Sequence, residues 1–280
     1  MATARQPRIS NEQINKIYAG SRLNEAGFVM PAPHCHPYFE LFYVDSGACS
    51  FFVGNNMYDM SEGDFMLIPP NVFHYTRYER CACRRSNVFF RAEDVDGNVA
   101  AALPGEGEFF DRQRIFQVPE AFRGQIIALL SRMLKEDRID DMQAAIMLRL
   151  QLNELFLLCS RECKFLDDLP ADIHTTYGPI VRAAQFMSDR YMDDISMADI
   201  AAAAGYSPNY LSKKFREATG TGVHEYLVFT RLQHAALELL STDHTITEIA
   251  ARCGFSDGNY FKDAFKKKYG VTPREYRRSE

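Results

Sequence analysis

The chain has 280 residues, 46% of them hydrophobic and 25% charged, with a net charge of −5. This is the composition of an ordinary globular protein with room for roughly two domains. It excludes a disordered polyion, and no stretch reaches the ~20 apolar residues of a membrane-spanning helix. Met1 to Ala19 holds no apolar run behind a basic start, so no secretory leader is expected. The seven cysteines, an odd number, fit a cytoplasmic protein with reduced thiols.

In chain order, residues 10–115 read as mostly β. The strand-like runs are FELFYV (39–44), ACSFFV (48–53), MYDM (57–60), FMLI (65–68) and NVFF (87–90). Turn signals separate them: Asp45-Ser46-Gly47, Gly54-Asn55-Asn56, Ser61-Glu62-Gly63-Asp64 and Pro69-Pro70-Asn71. Short strands at this spacing indicate a sandwich or small barrel. Just ahead of the first run stands HCHPYFE, with His34, His36 and Glu40 as three metal-type ligands. The period of two along a strand puts His34, His36, Tyr38, Glu40 and Phe42 on one face, where His74 can join them if that face points inward.

Two amphipathic helices are predicted next. One runs from about Pro119 to Ile139, with Ile126, Ile127, Leu130 and Leu134 as its apolar stripe. The other runs from about Met142 to Cys163, with Ile146, Leu148, Leu152, Leu155, Phe156 and Cys159 apolar. The second is apolar over more than one face, more than packing on one barrel requires. KFLDDLPADIHTTYG, starting at Lys164, loses periodicity and reads as a linker.

The remainder repeats itself. DIAAAAGYSPNYLSKKFREATGTGVHEYL from Asp199 matches EIAARCGFSDGNYFKDAFKKKYGVTPREYR from Glu248 at a near-constant offset. Each copy reads as a short helix, a turn at Gly205 or Gly254, an N-cap at Ser207 or Ser256, and a second helix with a basic face. That is a helix-turn-helix. Tyr210, Leu211 and Phe215, and Tyr260, Phe261 and Phe265, form the expected buried stripes. Lys213, Lys214 and Arg216, then Lys262, Lys266, Lys267 and Lys268, form the basic faces. GVHEYLVFTRLQHAALELLST between them reads as one long helix. Residues 174–280 carry 14 Lys+Arg against 13 Asp+Glu, whereas the rest carries 18 against 24. A near-neutral unit still binds DNA when its cations cluster on one surface.

These motifs carry two resemblances. Residues 178–280 closely resemble the DNA-binding domain of AraC/XylS-type transcription regulators. H34-x-H36-x3-E40-x6-G47 and G63-x5-P69-x-N71-x2-H74 are similar to the two cupin motifs, with Asn71 where Gly is usual and Tyr78 where the second motif ends in Asn. Together they imply an α+β two-domain protein. A cupin-like effector-sensing barrel would span 1–118, a helical dimerisation segment 119–163, a linker 164–177, and an all-α double helix-turn-helix domain 178–280. By position, the resemblance implies Pro208, Asn209, Ser212 and Lys213, and their counterparts Gly258, Asn259, Lys262 and Asp263, as base readers. Lys214, Arg216, Lys266 and Lys267 would bind phosphates, beside the capping Ser207 and Ser256. The implied function is a regulator, activating rather than repressing and not an enzyme, that acts as a homodimer on double-stranded DNA and with RNA polymerase, away from membranes.

The cluster at the opening motif has three readings. His34, His36, Tyr38, Glu40, Phe42 and His74 suit a metal-free pocket for a small effector, and the many Phe and Tyr suit a sugar ring. His34, His36, Glu40 and His74 equally suit a divalent transition metal. The third reading is a structural hydrogen-bonded cluster. Rival functions are a cupin metalloenzyme with a DNA-binding tail and a sensor using metal or the thiols of Cys35, Cys81 and Cys83. Cys81 and Cys83 lack the usual two-residue spacing of a zinc or thioredoxin-type pair.

Overall fold

A computed structural model of the chain describes residues 16–30, 32–105, 107–166 and 177–278. Residues 1–15, read as free of a leader, and 167–176 of the expected linker lie outside them. The chain divides into two compact units, Met1–Leu169 and Pro170–Glu280.

The first unit is built on strands β1 (Tyr18–Asn24), β2 (Phe28–Val29), β3 (Phe39–Ser46), β4 (Ala48–Val53), β5 (Asn56–Ser61), β6 (Asp64–Ile68), β7 (His74–Tyr78) and β8 (Cys83–Phe90). Helix α1 (Gly97–Ala102), strand β9 (Arg114–Gln117), helices α2 (Glu120–Glu136) and α3 (Met142–Glu162) and strand β10 (Lys164–Phe165) follow. One sheet has the order β1-β8-β3-β6-β9-β10, and the other β2-β7-β4-β5. An isolated bridge between His34 and His74 ties the segment before β3 to the second sheet.

Strand β3 explains the arrangement. Its first six residues are all buried, so both of its faces are covered. Phe42 and Val44 point into the space between the sheets, with Phe51, Val53, Met66 and Tyr78. Phe39, Leu41 and Tyr43 point the other way, into a core shared with Ile126, Leu130, Leu148, Leu152 and Phe156 of α2 and α3. Each such fully buried side chain contributes roughly 1.5–3 kcal/mol.

Both predicted helices of the first unit are present, but their stripes differ. Leu129 and Met133 of α2 are buried while Ile127 is exposed, and Ile146 of α3 is exposed. The segment expected as a separate dimerisation unit belongs with the barrel. The expected linker also starts too early, because Lys164 and Phe165 pair with Gln117 and Phe116.

The second unit contains α4 (Gly178–Asp189), α5 (Met197–Ala204), α6 (Pro208–Thr219), α7 (Val223–Ser241), α8 (Ile246–Arg252), α9 (Gly258–Tyr269) and α10 (Pro273–Arg277). The acids that open the two repeats serve one purpose: Asp199 and Glu248 close capping boxes with Ser196 and Thr245 on α5 and α8. Helix α7 serves both copies. Tyr226 packs edge-on to Phe215 at 5.3 Å, while Leu232 and Leu239 join Ile249, Phe261 and Phe265.

Three local expectations change. Ser207 sits at the N-cap of α6 without a side-chain cap bond. In the second copy Asp257, not Ser256, caps α9 by accepting from the amides of Asn259 and Tyr260. Tyr210 and Tyr260 are not core: each is 47% exposed. They lie one residue before the buried Leu211 and Phe261, and a helix turns ~100° per residue.

Gly205 and Gly254 are both left-handed, with φ of 72° and 79°. A Cβ at Gly254 would lie 2.5 Å from the Tyr191 carbonyl oxygen, which already accepts from Arg231, whereas at Gly205 the nearest contact is 3.9 Å. We expect Gly205→Ala to cost the second unit roughly 1 kcal/mol and Gly254→Ala roughly 2–4 kcal/mol. Urea unfolding of the two variants checks this, and equal losses would refute it.

Candidate functional site

The space between the two sheets opens into a cavity of about 260 Å³. Its wall includes His34, His36, Tyr38, Glu40, Phe42 and His74, all six of the residues the sequence puts there. Strand alternation adds Thr76 and Tyr78 from β7, Phe51 from β4 and Arg85 and Phe89 from β8. Arg22, Phe28 and Met30 complete it. Phe51 and Phe89 lie on predicted strands and Tyr78 closes the second cupin-like motif, but no local pattern marks them as cavity wall; Arg22, Phe28, Thr76 and Arg85 lie outside the predicted strands and motif positions.

The imidazoles are held from behind. His36 Nδ1 donates to the Tyr38 carbonyl at 2.8 Å, and His74 Nδ1 donates to the Val72 carbonyl at 2.9 Å. The Tyr38 ring stacks on His36 at 4.2 Å and 6°. With Nδ1 turned to a carbonyl, Nε2 of each ring is the atom that faces the cavity. His36 Nε2 lies 3.1 Å and His74 Nε2 3.4 Å from Glu40 Oε2, and His74 Nε2 lies 2.9 Å from His34 Nε2. One ligand atom from each of these four residues falls within a 4.8 Å span.

The charges follow from burial. Burial, then the neighbouring His74, pushes His34 down to about 2, so this ring is neutral. Burial alone would raise the Glu40 carboxyl, but hydrogen bonds with His36 and His74 outweigh it and hold Glu40 well below the usual carboxylate range. Asn87 donates to its other oxygen, Oε1. Asn71, where the cupin-like motif departs from Gly, has a φ of 62°. Asn is among the side chains that tolerate this left-handed conformation, so the departure preserves the backbone. The Asn71 amide donates to the His36 carbonyl at 2.7 Å. Tyr78, the other departure, is buried in the cavity wall.

Two of the three thiols of the rival sensor reading have other neighbours, and neither is in a disulfide. The free thiols of Cys83 and Cys49 share a hydrogen bond, and Cys81 points to the Ala48 carbonyl 3.9 Å away. The mutual bond and burial together push the Cys49 thiol well up.

On the second unit, Ser207, Pro208, Asn209, Ser212, Lys213 and Arg216 are exposed on and beside α6, as are Ser256, Asn259, Lys262, Asp263, Lys266 and Lys267 on and beside α9. Lys214 and Gly258 are half-buried. The two faces differ in charge pairing. Lys214 meets Glu217 at 2.8 Å and Arg216 meets Glu225 at 3.3 Å. Lys262 and Lys267 form no ion pair among the described residues. Lys268, expected on the basic face, instead covers the Phe229 ring with its ammonium 3.2 Å from the centroid. Tyr210 and Tyr260 stand exposed beside Asn209 and Asn259, reachable residues that a core reading overlooked.

Among the described residues, no helix is long and apolar enough to cross a membrane. Comparison with known proteins gives two sequence-model matches: an AraC-like ligand-binding domain over residues 18–152 and a helix-turn-helix domain over residues 200–279. An uncharacterised HTH-type transcriptional regulator of Staphylococcus aureus is 38% identical over 96 residues, 34% of this chain, and the chain spans 13% of that relative's length. The HTH-type transcriptional activator RhaS of Yersinia pseudotuberculosis is 26% identical over 255 residues, 87% of this chain and 88% of its own. The HTH-type regulator YijO of Escherichia coli is 41% identical over 93 residues, 33% of either chain. The chain therefore belongs to the AraC-type transcription regulators, an AraC-like ligand-binding domain followed by a double helix-turn-helix domain.

Proposed function

We propose that this chain is a sequence-specific transcription regulator whose DNA binding is set by a small effector in the barrel cavity, and that it activates its promoters with RNA polymerase. The observation that carries the reading is the pairing of a walled cavity with two exposed, cation-bearing recognition helices in one chain. The effector acts by binding one arrangement of the DNA-binding units better than another, since a ligand without that preference shifts nothing. The chain is a binding protein rather than an enzyme, and it works in the cytoplasm, where its DNA is.

Asn209 and Asn259 supply bidentate contacts to adenine, and Lys213 and Lys262 reach guanine. Ser212 assists the first reader. Gly258 presents no side chain, and Asp263 suits a cytosine amine rather than a phosphate. Lys266 and Lys267 clamp phosphates at the second reader. At the first, Lys214 and Arg216 must exchange Glu217 and Glu225 for DNA. Asn259→Ala should weaken binding to the cognate operator by roughly 1–3 kcal/mol and leave nonspecific DNA nearly unchanged. Lys267→Ala should weaken all sequences and lower the salt slope by roughly one. Titrations on specific and random duplexes at several salt concentrations decide, and equal losses in both variants would refute the assignment.

The donor set of His34, His36, Glu40 and His74 fits a divalent transition metal. Two imidazoles are fixed by carbonyls behind them, and their Nε2 atoms converge on the Glu40 carboxylate, so the outer hydrogen bonds of a metal site are in place. When bound, the ion would add positive charge and a Lewis-acidic anchor for an effector oxygen. His36 and His74 hold the donor orientation, Glu40 supplies the neutralising charge, and Asn87 fixes Glu40. Titration with Co²⁺ should give a ligand-field spectrum with one equivalent bound, lost in His36→Ala and Glu40→Gln. No saturable binding in the wild-type protein would exclude the metal.

The dimer is proposed through α3. Met142, Ile146, Leu150 and Leu157 share one face of this helix and are exposed, a self-complementary stripe suited to a second copy. Sedimentation should find a dimer in the wild type and a monomer in the double variant Ile146→Glu, Leu150→Glu. A dimer unaffected by the double substitution would place the interface elsewhere.

A further inference from the structure

The cavity carries cations that the surrounding protein does not neutralise. Arg22 on β1 and Arg85 on β8 are direct cross-strand partners, and both line the cavity. Like charges facing each other across a strand pair repel. Arg22 is exposed at the rim and covers Phe28, with its guanidinium carbon 5.1 Å from the ring centroid. Arg85 is only 7% exposed, yet it forms no ion pair among the described residues. Its guanidinium donates through Nη1 to the Asn87 amide oxygen and lies over the Phe42 ring at 5.4 Å. Its Nε is buried with no partner among the described residues, although a guanidinium has five N–H donors to satisfy.

Glu40 does not serve as its counter-ion. That carboxylate faces His36 and His74 and accepts from Asn87, so Asn87 stands between the acid and the arginine. A second donor is in the same state: the Tyr78 hydroxyl lines the cavity, buried and without a partner among the described residues. A buried cation and a buried hydroxyl left this way are costly to the folded protein, and an anionic oxygen ligand would remove both costs.

Resting on the effector reading above, we infer that the cavity takes a small carboxylate with an apolar body. The carboxylate sits against the Arg85 guanidinium, with Tyr78 as a further donor and Arg22 closing from the rim. The body packs among Phe28, Phe51 and Phe89. A guanidinium and a carboxylate match through two parallel N–H···O bonds, which no neutral hydroxyl reproduces. The cavity of about 260 Å³ has the volume of roughly nine waters at ~30 Å³ each. That suits a ligand the size of benzoate or hexanoate. A bare inorganic anion would leave the aromatic wall uncovered, and the sugar expected from the abundance of aromatic residues would leave Arg85 without a counter-ion.

The test is calorimetric titration of the full chain, as purified and after chelator treatment, with benzoate, hexanoate and longer aliphatic acids. Each is paired with its neutral primary amide, and inorganic phosphate is titrated alongside. The acids should bind and the matching amides should bind at least roughly tenfold more weakly. Arg85→Gln should lose the acids by a similar factor, Arg85→Lys should retain part of the affinity, and Arg22→Gln should show a smaller loss. If Arg85→Gln does not fold, discrimination between acid and amide by the wild type, with Arg22→Gln, still decides. Amides matching acids, acids indifferent to Arg85→Gln, phosphate matching benzoate, or no acid binding at all would each overturn the inference. So would binding that is lost on chelation yet unchanged in Arg85→Gln, because the metal would then be the anchor. Failure of the effector reading looks different: an acid bound through Arg85 that leaves operator affinity unchanged would sink that reading and leave this one standing.

Discussion

The two-sided burial of β3 is the constraint on which the first unit depends. Because successive side chains on a strand point to opposite faces, Phe39–Ser46 must satisfy two environments at once. Glu40 and Phe42 form the cavity wall, and Phe39, Leu41 and Tyr43 form the seat of α2 and α3. The cavity and the helices with the exposed apolar stripe therefore lie on opposite faces of one sheet. A one-residue slip of register would exchange every one of these side chains, so the site cannot drift without dismantling the core. The same geometry offers a direct route for a ligand to act on the helices: any displacement of β3 is felt on both sides, because a close-packed interior transmits strain.

Within that frame the cavity is costly to build. A carboxylate and a guanidinium are both buried there, and buried ionic groups give little net stability even when paired. Glu40 is compensated by His36, His74 and Asn87, and the imidazoles by backbone carbonyls. Arg85 is compensated only in part. Polar groups held at such expense in one small space contribute little to the stability of the barrel.

The second unit shows one architecture used with two chemistries. Both copies turn at a left-handed glycine, both first helices begin with an acid-closed capping box, and both lean on α7. They differ at the surface. Helix α6 pairs Lys214 and Arg216 with Glu217 and Glu225, whereas α9 leaves Lys262 and Lys267 without an ion pair among the described residues. The two copies share their packing and differ at their exposed surfaces, where positions carry little of the folding energy.

The sequence by itself determined the double helix-turn-helix, through its internal repeat, glycines and acidic caps. It determined five of the barrel strands, both long helices and the cluster of His34, His36, Glu40 and His74. All of these are local signals: a period of two or 3.6, a turn residue, a spacing within one short segment. Only the tertiary structure decided the rest. Arg22, Tyr78 and Arg85 come from three separate strands, and no spacing in the chain announces that pairing will bring them to one cavity. Lys164 and Phe165 became a strand because β9 offered an edge. Tyr210 and Tyr260 were left outside because helix packing buried the next residue instead. Whether a side chain is core, wall or surface depends on which partners arrive from elsewhere in the chain, and that information is not local.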